Sequence, residues 1–280
     1  MSNIYHLSTI KNKTKNRRIK RKLHQEEYDK AEGIRRSDLW LMNKTPFHFK
    51  YAMDHERESN SNFEFGIAAH KYILEPETFD DEYTVADFAS KRTKEYKEFV
   101  AACIASGKEP ISSTDMAIIK NMKSVIDNTP LAKQLLTGEH EKEFYWTDSK
   151  TGEKCKVKCD CLTEYLHQPC IVDYKTTASC DDGKFEHSCR EYGYDFQAGM
   201  YTEGVFSNTF EDCGFCFVAQ EKTAPYAVRV YVCDESFIKN GRETYDRLLA
   251  LYHECKETGN WYGYDQGPFG LPVELMGDFN

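Results

Sequence analysis

The chain has 280 residues, 40% of them hydrophobic, with 17 Phe and 18 Tyr, which is enough for one large domain or two small ones around a real core. No run approaches the roughly 20 apolar residues that span a bilayer, and the N-terminus shows no apolar h-region, so neither a membrane span nor a secretory signal is expected. Eleven cysteines in that setting argue for reduced thiols in a cytoplasm rather than a disulfide framework.

The net charge of −9 hides an asymmetry. Eight of the twelve residues from Lys11 to Lys22 are basic and no acid precedes Glu26, so the remainder carries 29 basic against 46 acidic residues. A basic arm on an acidic body is one arrangement for touching nucleic-acid phosphates; a merely solvated tail is the other. Residues 1–27 are therefore expected to form a flexible basic arm, and 28–280 one domain.

Apart from the short Ile4–Leu7 segment, nothing regular is expected before Ile34. There a helical pattern begins, with Ser37 or Asp38 as N-cap and Leu39, Trp40 and Met42 on the apolar side, ending near Thr45-Pro46. Phe47, Phe49, Tyr51 and Met53 read as core. A helix over Phe63–Leu74 follows, capped by Asn62 and stopped by Pro76, with Phe63, Ile67, His70 or Lys71, and Leu74 as its buried stripe. His70 is either a hydrogen-bonded core residue or an imidazole available to a metal. A charged amphipathic helix is expected from Asp87 to Gly107. Another is capped by Ser112 or Ser113 and runs through Met116, Ile119, Met122, Val125 and Ile126. A short one covers Leu131–Leu136.

Strands then take over. Glu141–Trp146, Cys155–Leu162 and Cys170–Tyr174 read as a three-stranded antiparallel meander, turned at Asp148–Gly152 and at Tyr165–Pro169. Asp160 and Asp173 lie nearly symmetrically about the second turn, so antiparallel pairing brings them together. Side chains alternate along a strand, so Lys175 projects with Asp173. Two carboxylates and an ammonium at one strand end suit a hard divalent cation, a phosphoryl group and an attacking water. An ordinary surface ion pair would look the same in sequence. Glu141 and Glu143 share parity and face either this site or water.

Beyond Thr177 a polar loop leads to a helix over Phe185–Tyr192. A further helix begins at Tyr194, on which Gln197 and Tyr201 share a face. Strands at Cys213–Gln220 and Ala227–Cys233 precede a closing helix, Glu235–Lys256, and a Gly/Pro-rich tail expected to wrap the surface. Cys213 and Cys216 form a lone C-x-x-C inside an apolar strand, too few ligands for a zinc site.

The ordered set resembles the PD-(D/E)XK nuclease superfamily, and within it the RecE-like (exonuclease VIII type) phage recombination exonucleases. The pieces that carry the likeness are Gly33–Leu39, Phe65–His70 with Leu74–Phe79, and Lys91-Arg92-Thr93. They continue with Phe144–Trp146, Thr151-Gly152, Cys159-Asp160, Asp173–Thr177 and Gln197–Tyr201. The resemblance implies an α/β fold, a mixed central β-sheet flanked by helices with a restriction-endonuclease-like core. It implies a Mg²⁺-dependent 5′→3′ exonuclease on linear double-stranded DNA, with Mn²⁺ as a substitute, leaving 3′ overhangs for phage-type recombination by strand annealing. It also implies a bacterial host cytoplasm, a homo-oligomeric ring on duplex ends, a single-strand annealing protein as partner, and no membrane.

By the same match His70, Asp160, Asp173 and the Tyr174 carbonyl hold the metal, Lys175 acts with them in catalysis, and Glu141 is a weaker catalytic candidate. Gln197, Tyr201, Lys91, Arg92, Arg35 and Arg36 would meet DNA or support the site. Two features depart from the pattern: Cys159 stands where relatives have Pro, and the Lys11–Lys22 arm has no counterpart. An iron–sulfur cluster, found in some related nucleases, is not expected, since the first cysteine is Cys103. The alternatives are an endonuclease or CRISPR-adaptation-type nuclease of the same superfamily, or a non-catalytic DNA-binding protein on this fold.

Overall fold

The computed structural model describes residues 27–55 and 61–264. The Lys11–Lys22 arm, the Ile4–Leu7 segment, the capping side chain of Asn62, the side chain of Phe63 and most of the Gly/Pro-rich tail lie outside what is described. A two-residue strand, β1 (Ile34–Arg35), leads into helices α1 (Arg36–Leu39), α2 (Pro46–Asp54), α3 (Ser61–Leu74) and α4 (Pro76–Glu82). Strand β2 (Tyr83–Ala86), helix α5 (Lys94–Ala105), strand β3 (Glu109–Ser112), and helices α6 (Ser113–Asp127) and α7 (Pro130–Leu135) follow. The meander β4 (Glu139–Thr147), β5 (Lys154–Tyr165) and β6 (Gln168–Thr177) comes next. Helices α8 (Asp182–Tyr192) and α9 (Tyr194–Thr209), strands β7 (Gly214–Glu221) and β8 (Val228–Val232), and helix α10 (Glu235–Thr258) complete the chain.

Local chemistry explains most of these boundaries, including several that differ from the sequence expectation. Pro46 and Pro76, read as stops, instead open α2 and α4 at the first helical turn, where a missing N–H costs nothing. Thr45 caps α2 by accepting from the His48 N–H, so Phe47–Met53 is helical. Residues two apart cannot share a helix face. Phe49 is therefore buried, while Phe47, Tyr51 and Met53 are exposed and not core as expected. The expected start of α1 at Ile34 is also corrected, because Ile34-Arg35 pairs with β5. The helix expected from Asp87 starts only at Lys94, where Thr93 accepts from the Tyr96 N–H. On α3 the buried side runs through Ala68, Ala69, Lys71, Ile73 and Leu74, and Ile67 faces outward. The hairpin between β5 and β6 closes through Leu166 and His167, both at positive φ (50° and 63°), as a two-residue loop with right-handed strand twist requires.

The main sheet is mixed, in the order β1-β5-β6-β7-β8 with β4 also on β5, and a separate two-stranded parallel sheet joins β2 to β3. Pairing of β6 with β7 is parallel from Cys170↔Gly214 to Thr177↔Glu221, and β7 with β8 is antiparallel. Helices α9 and α10 cover one face around Phe196, Met200, Phe215, Phe217, Leu248 and Leu249. Helices α3, α6 and α7 cover the other around Ile73, Met122, Leu135, Val172, Tyr174 and Val218. Strand β7 is consequently buried on both faces. Each fully buried Phe or Leu contributes roughly 1.5–3 kcal/mol in transfer free energy.

The feature that creates the site is an opening in the sheet. Strand β4 runs along one edge of β5, pairing Cys155 with Trp146 and Cys161 with His140. On the opposite edge β1 meets only Cys155 and Lys156, and β6 joins only from Cys161 onward. Residues 157–160 of β5 have no strand partner on that edge among the described residues. Beyond Val172 strand β6 leaves β5 and pairs only with β7, and the two carboxylates sit in the crotch. All eleven cysteines are free thiols. Cys216 lies buried in β7 with its Sγ 3.4 Å from Cys170 Sγ, and Cys213 is half-buried.

Candidate active site

Asp160, Asp173, Lys175 and His70 come together where β5 and β6 part. Asp160 Oδ2 accepts a 2.9 Å hydrogen bond from the Tyr174 N–H, so a side chain takes the place that a ladder partner would fill. Asp173 is 2% exposed; its Oδ2 lies 2.6 Å from Lys175 Nζ and its Oδ1 accepts from the Gln197 side-chain amide. Oδ2 has no aligned hydrogen bond despite that ion pair, so it remains an acceptor with capacity in reserve. Lys175 Nζ also stands 5.0 Å from the centre of the Tyr194 ring.

From the other face, α3 delivers His70, with Nδ1 3.5 Å from Asp160 Oδ2 and its ring edge-on to Tyr174 at 5.0 Å. Tyr174 is fixed in turn by its hydroxyl, which donates to Gln220 Oε1 at 2.7 Å. Gly66 lies one turn before His70 on α3, and a Cβ there would meet Thr176 Oγ1 at an ordinary 3.7 Å, so the close approach does not demand glycine.

The electrostatics follow from burial of like charges. Desolvation, reinforced by the neighbouring Asp173 carboxylate, pushes Asp160 well above the usual carboxylate range. Burial lowers His70 to about 4 and Lys175 adds to that, while Asp173, Glu141 and the Tyr174 backbone pull the other way. The imidazole is therefore neutral at pH 7, the form that binds metals. Tyr201 is raised by burial and then by Asp173, which puts its hydroxyl in the field of the same carboxylate.

The donor set of two carboxylates, a neutral imidazole and a backbone carbonyl fits a hard divalent cation. Asp173 Oδ2 without an aligned donor, and a carboxylate raised by its neighbour, both call for positive charge. Among the described residues, however, no three His, Cys, Asp or Glu side chains already stand at metal-holding separation. Lys175 and Gln197 hold Asp173 instead, and the Lys175 ammonium is the group that would have to yield.

The remaining sequence candidates divide. Gln197 and Tyr201 do face the site from α9. Glu141 is close enough for its charge to act on His70 and Asp160, but it is paired with Lys158 at 2.6 Å. Glu141 and Glu143 do not share a fate: Glu141 has φ 55°, and Glu143 accepts from the Tyr145 hydroxyl at 2.6 Å.

Arg35 is engaged with Asp38 at 2.8 Å and Asp29 at 3.6 Å. Arg36 lies over Trp40 and Phe196 and donates to the carbonyls of Tyr192 and Gly193, pinning the α8–α9 corner. Burial lowers its pKa, and Asp173 and Tyr201 are among the charges that oppose the shift. Gly193 is needed there: its φ is 62°, and a Cβ would stand 2.4 Å from the Trp40 ring. Lys91 and Arg92 are exposed just before α5, and no described contact joins them to the carboxylates. Sequence reasoning missed Lys158 and Tyr194. Lys158 was findable, since it sits two residues from Asp160 as Lys175 does from Asp173.

Comparison with known proteins agrees with this fold. No curated protein matches the chain. Among solved structures, a protein from Eubacterium rectale, provisionally described as an exonuclease, aligns with TM-score 0.59 and 17% identity over 88% of this chain and 91% of its own. The protein SSO0001 aligns over 76% of this chain and 84% of its own at 15% identity, but a TM-score of 0.29 carries no weight. A family profile described as "PDDEXK-like domain of unknown function (DUF3799)" matches residues 36–265, from α1 through α10 and across every residue of the crotch. The carboxylates and lysine at the parting of β5 and β6 are thus set in the fold of that family, and the chain is a member of it.

Proposed function

We propose that the chain is a Mg²⁺-dependent exonuclease that degrades linear double-stranded DNA from 5′ ends and leaves 3′ single-stranded overhangs for recombination by strand annealing. The observation that supports this most is the convergence of Asp160, Asp173, Lys175 and His70 in the opening between β5 and β6. Asp160, Asp173, His70 and the Tyr174 carbonyl would hold the cation, which when bound polarises a phosphoryl oxygen and makes water more acidic. Lys175 orients the attacking water and balances charge that builds on the phosphate. Gln197 keeps Asp173 facing the opening, and Tyr201 places a hydroxyl beside it. Burial, with the Asp173 charge beside it, raises Asp160, and a divalent charge relieves that demand. Mn²⁺ would substitute. Assembly into a ring around DNA, and transfer of the exposed strand to an annealing protein, complete the proposal on the strength of the RecE-like resemblance.

The test is digestion of one linear duplex, labelled at its 5′ or its 3′ ends, beside its closed circular form, with Mg²⁺ and with EDTA. Mg²⁺-dependent mononucleotide release from 5′ ends, with the circle spared, is the expected result. A nicked or linearised circle would indicate an endonuclease instead. Binding without cleavage would leave a nuclease fold with another task.

A further inference from the structure

A second lysine–carboxylate pair stands beside the first. Lys158 Nζ lies 2.6 Å from Glu141 Oε2, with 22% and 31% of the two side chains exposed. The same ammonium sits 5.5 Å from the centre of the Tyr28 ring, a position an aromatic face favours. Glu141 is not an ordinary strand residue. The β4–β5 ladder pairs His140 with Cys161 and Lys142 with Cys159 but skips one rung between them. The residues at that rung are Glu141, at φ 55°, and Asp160. Left-handed backbone at a glutamate persists only where its surroundings over-determine it, and such outliers gather at functional sites. Face alternation along β5 changes at the same point: Cys155, Val157 and Cys159 pack into one core, and Cys161 into the other. The irregularity brings the Glu141 charge to bear on both His70 and Asp160. Each lysine thus neutralises one carboxylate, Lys175 that of Asp173 and Lys158 that of Glu141.

We propose that Lys158 is a positioning residue that holds Glu141 in reserve until DNA arrives. In the DNA-free protein it keeps the Glu141 carboxylate away from the cation. When a phosphodiester enters, the ammonium exchanges one anion for another, taking a phosphate oxygen and freeing Glu141 to face the cation. The exchange is cheap because the ammonium is never without an anionic partner, and the face of the Tyr28 ring stays beside it. Cation and DNA affinity become linked, each raising the other by the same factor. The proposal rests on the metal-dependent nuclease reading of the same site.

The probe is Mn²⁺, its free concentration read by electron paramagnetic resonance in the absence of DNA. Lys158→Met is expected to bind Mn²⁺ about tenfold more tightly than the parent, since it removes a positive charge and leaves Glu141 unpaired. The double variant Lys158→Met with Glu141→Gln is expected to lose that gain. With EDTA present to prevent cleavage, Lys158→Met should bind a linear duplex more weakly, with a salt slope reduced by about one. Lys158→Arg should keep both parental values. Unchanged Mn²⁺ affinity in Lys158→Met, or an equal gain in the double variant, would overturn the proposal. If no variant and not the parent binds Mn²⁺ while all still bind duplex, the metal reading itself fails and takes the proposal with it.

Discussion

Gly241→Ala offers a sharp test, because intrinsic propensity and packing make opposite predictions. Gly241 lies inside α10, where replacing glycine by alanine ordinarily stabilises a helix by about 1 kcal/mol. Here a Cβ would stand 1.8 Å from the Asp195 carbonyl oxygen and 3.0 Å from the Gly199 amide nitrogen of α9, where ordinary contact begins at 3.4 Å. The obstacle is backbone, so α9 would have to retreat by roughly 1.6 Å, a displacement of the overpacking kind that costs about 1–3 kcal/mol. Gln197 lies between Asp195 and Gly199 on the retreating turn, and its amide would leave Asp173. Losing a hydrogen bond to a buried charge adds about 1.5–3 kcal/mol. Offset by the propensity gain, the net destabilisation should be about 1.5–5 kcal/mol. Denaturant unfolding of parent and variant measures it. Gly183→Ala is the control: its Cβ would meet Asp181 Oδ1 at an ordinary 3.6 Å, and it should be neutral or slightly stabilising. A Gly241→Ala protein as stable as the parent would refute the claim that glycine contact between α9 and α10 sets the position of Gln197.

Four further outcomes are expected. Asp173→Ala and Lys175→Ala should each lower cleavage by a factor of about 10² or more while leaving the circular dichroism spectrum unchanged; near-parental rates would remove these residues from the site. In His70→Ala the Mg²⁺ concentration for half-maximal cleavage should rise, and an unchanged titration would return His70 to a packing role. Burial alone would raise Glu153, but its hydrogen bonds with His253 (2.9 Å) and Lys256 (2.7 Å) outweigh that and hold it below its ordinary 4.5. A carboxylate depressed in the folded state stabilises above its unfolded pKa and loses that contribution as pH falls through its folded value. The stability gap between the parent and Glu153→Gln should therefore be full at pH 7 and close below pH 4.5, and a gap that stays constant with pH would refute this. Deleting residues 1–24 should weaken duplex binding chiefly at low salt, with a smaller salt slope; an unchanged slope would mark the arm as passive.

The order of elements and the position of the site were legible in the sequence wherever the determining contacts are local. Alternation and a short polar break at Tyr165–Pro169 announce the β5–β6 hairpin, so Asp160, Asp173 and Lys175 could be placed together without a fold. Ser112 announces the start of α6 through a single side-chain bond to a nearby N–H. Even locally the reading had limits. Pro46 and Pro76 each end one pattern and begin another helix, and the two-residue strand β1 is too short to show a period. Packing alone decided the rest. That β1 and β6 share one edge of β5 and leave residues 157–160 open depends on contacts more than a hundred residues apart. Arg36 likewise pins the α8–α9 corner from 157 residues away, and it is packing of α9 on α10, not local sequence, that lets Gln197 reach Asp173. A left-handed glutamate opposite Asp160 is invisible to propensity, because nothing about a glutamate favours it and only the surrounding fold enforces it. The sequence alone therefore determined which groups converge at the opening between β5 and β6, and the tertiary structure decided which neighbours hold those groups in place, because such contacts form only when distant segments pack together.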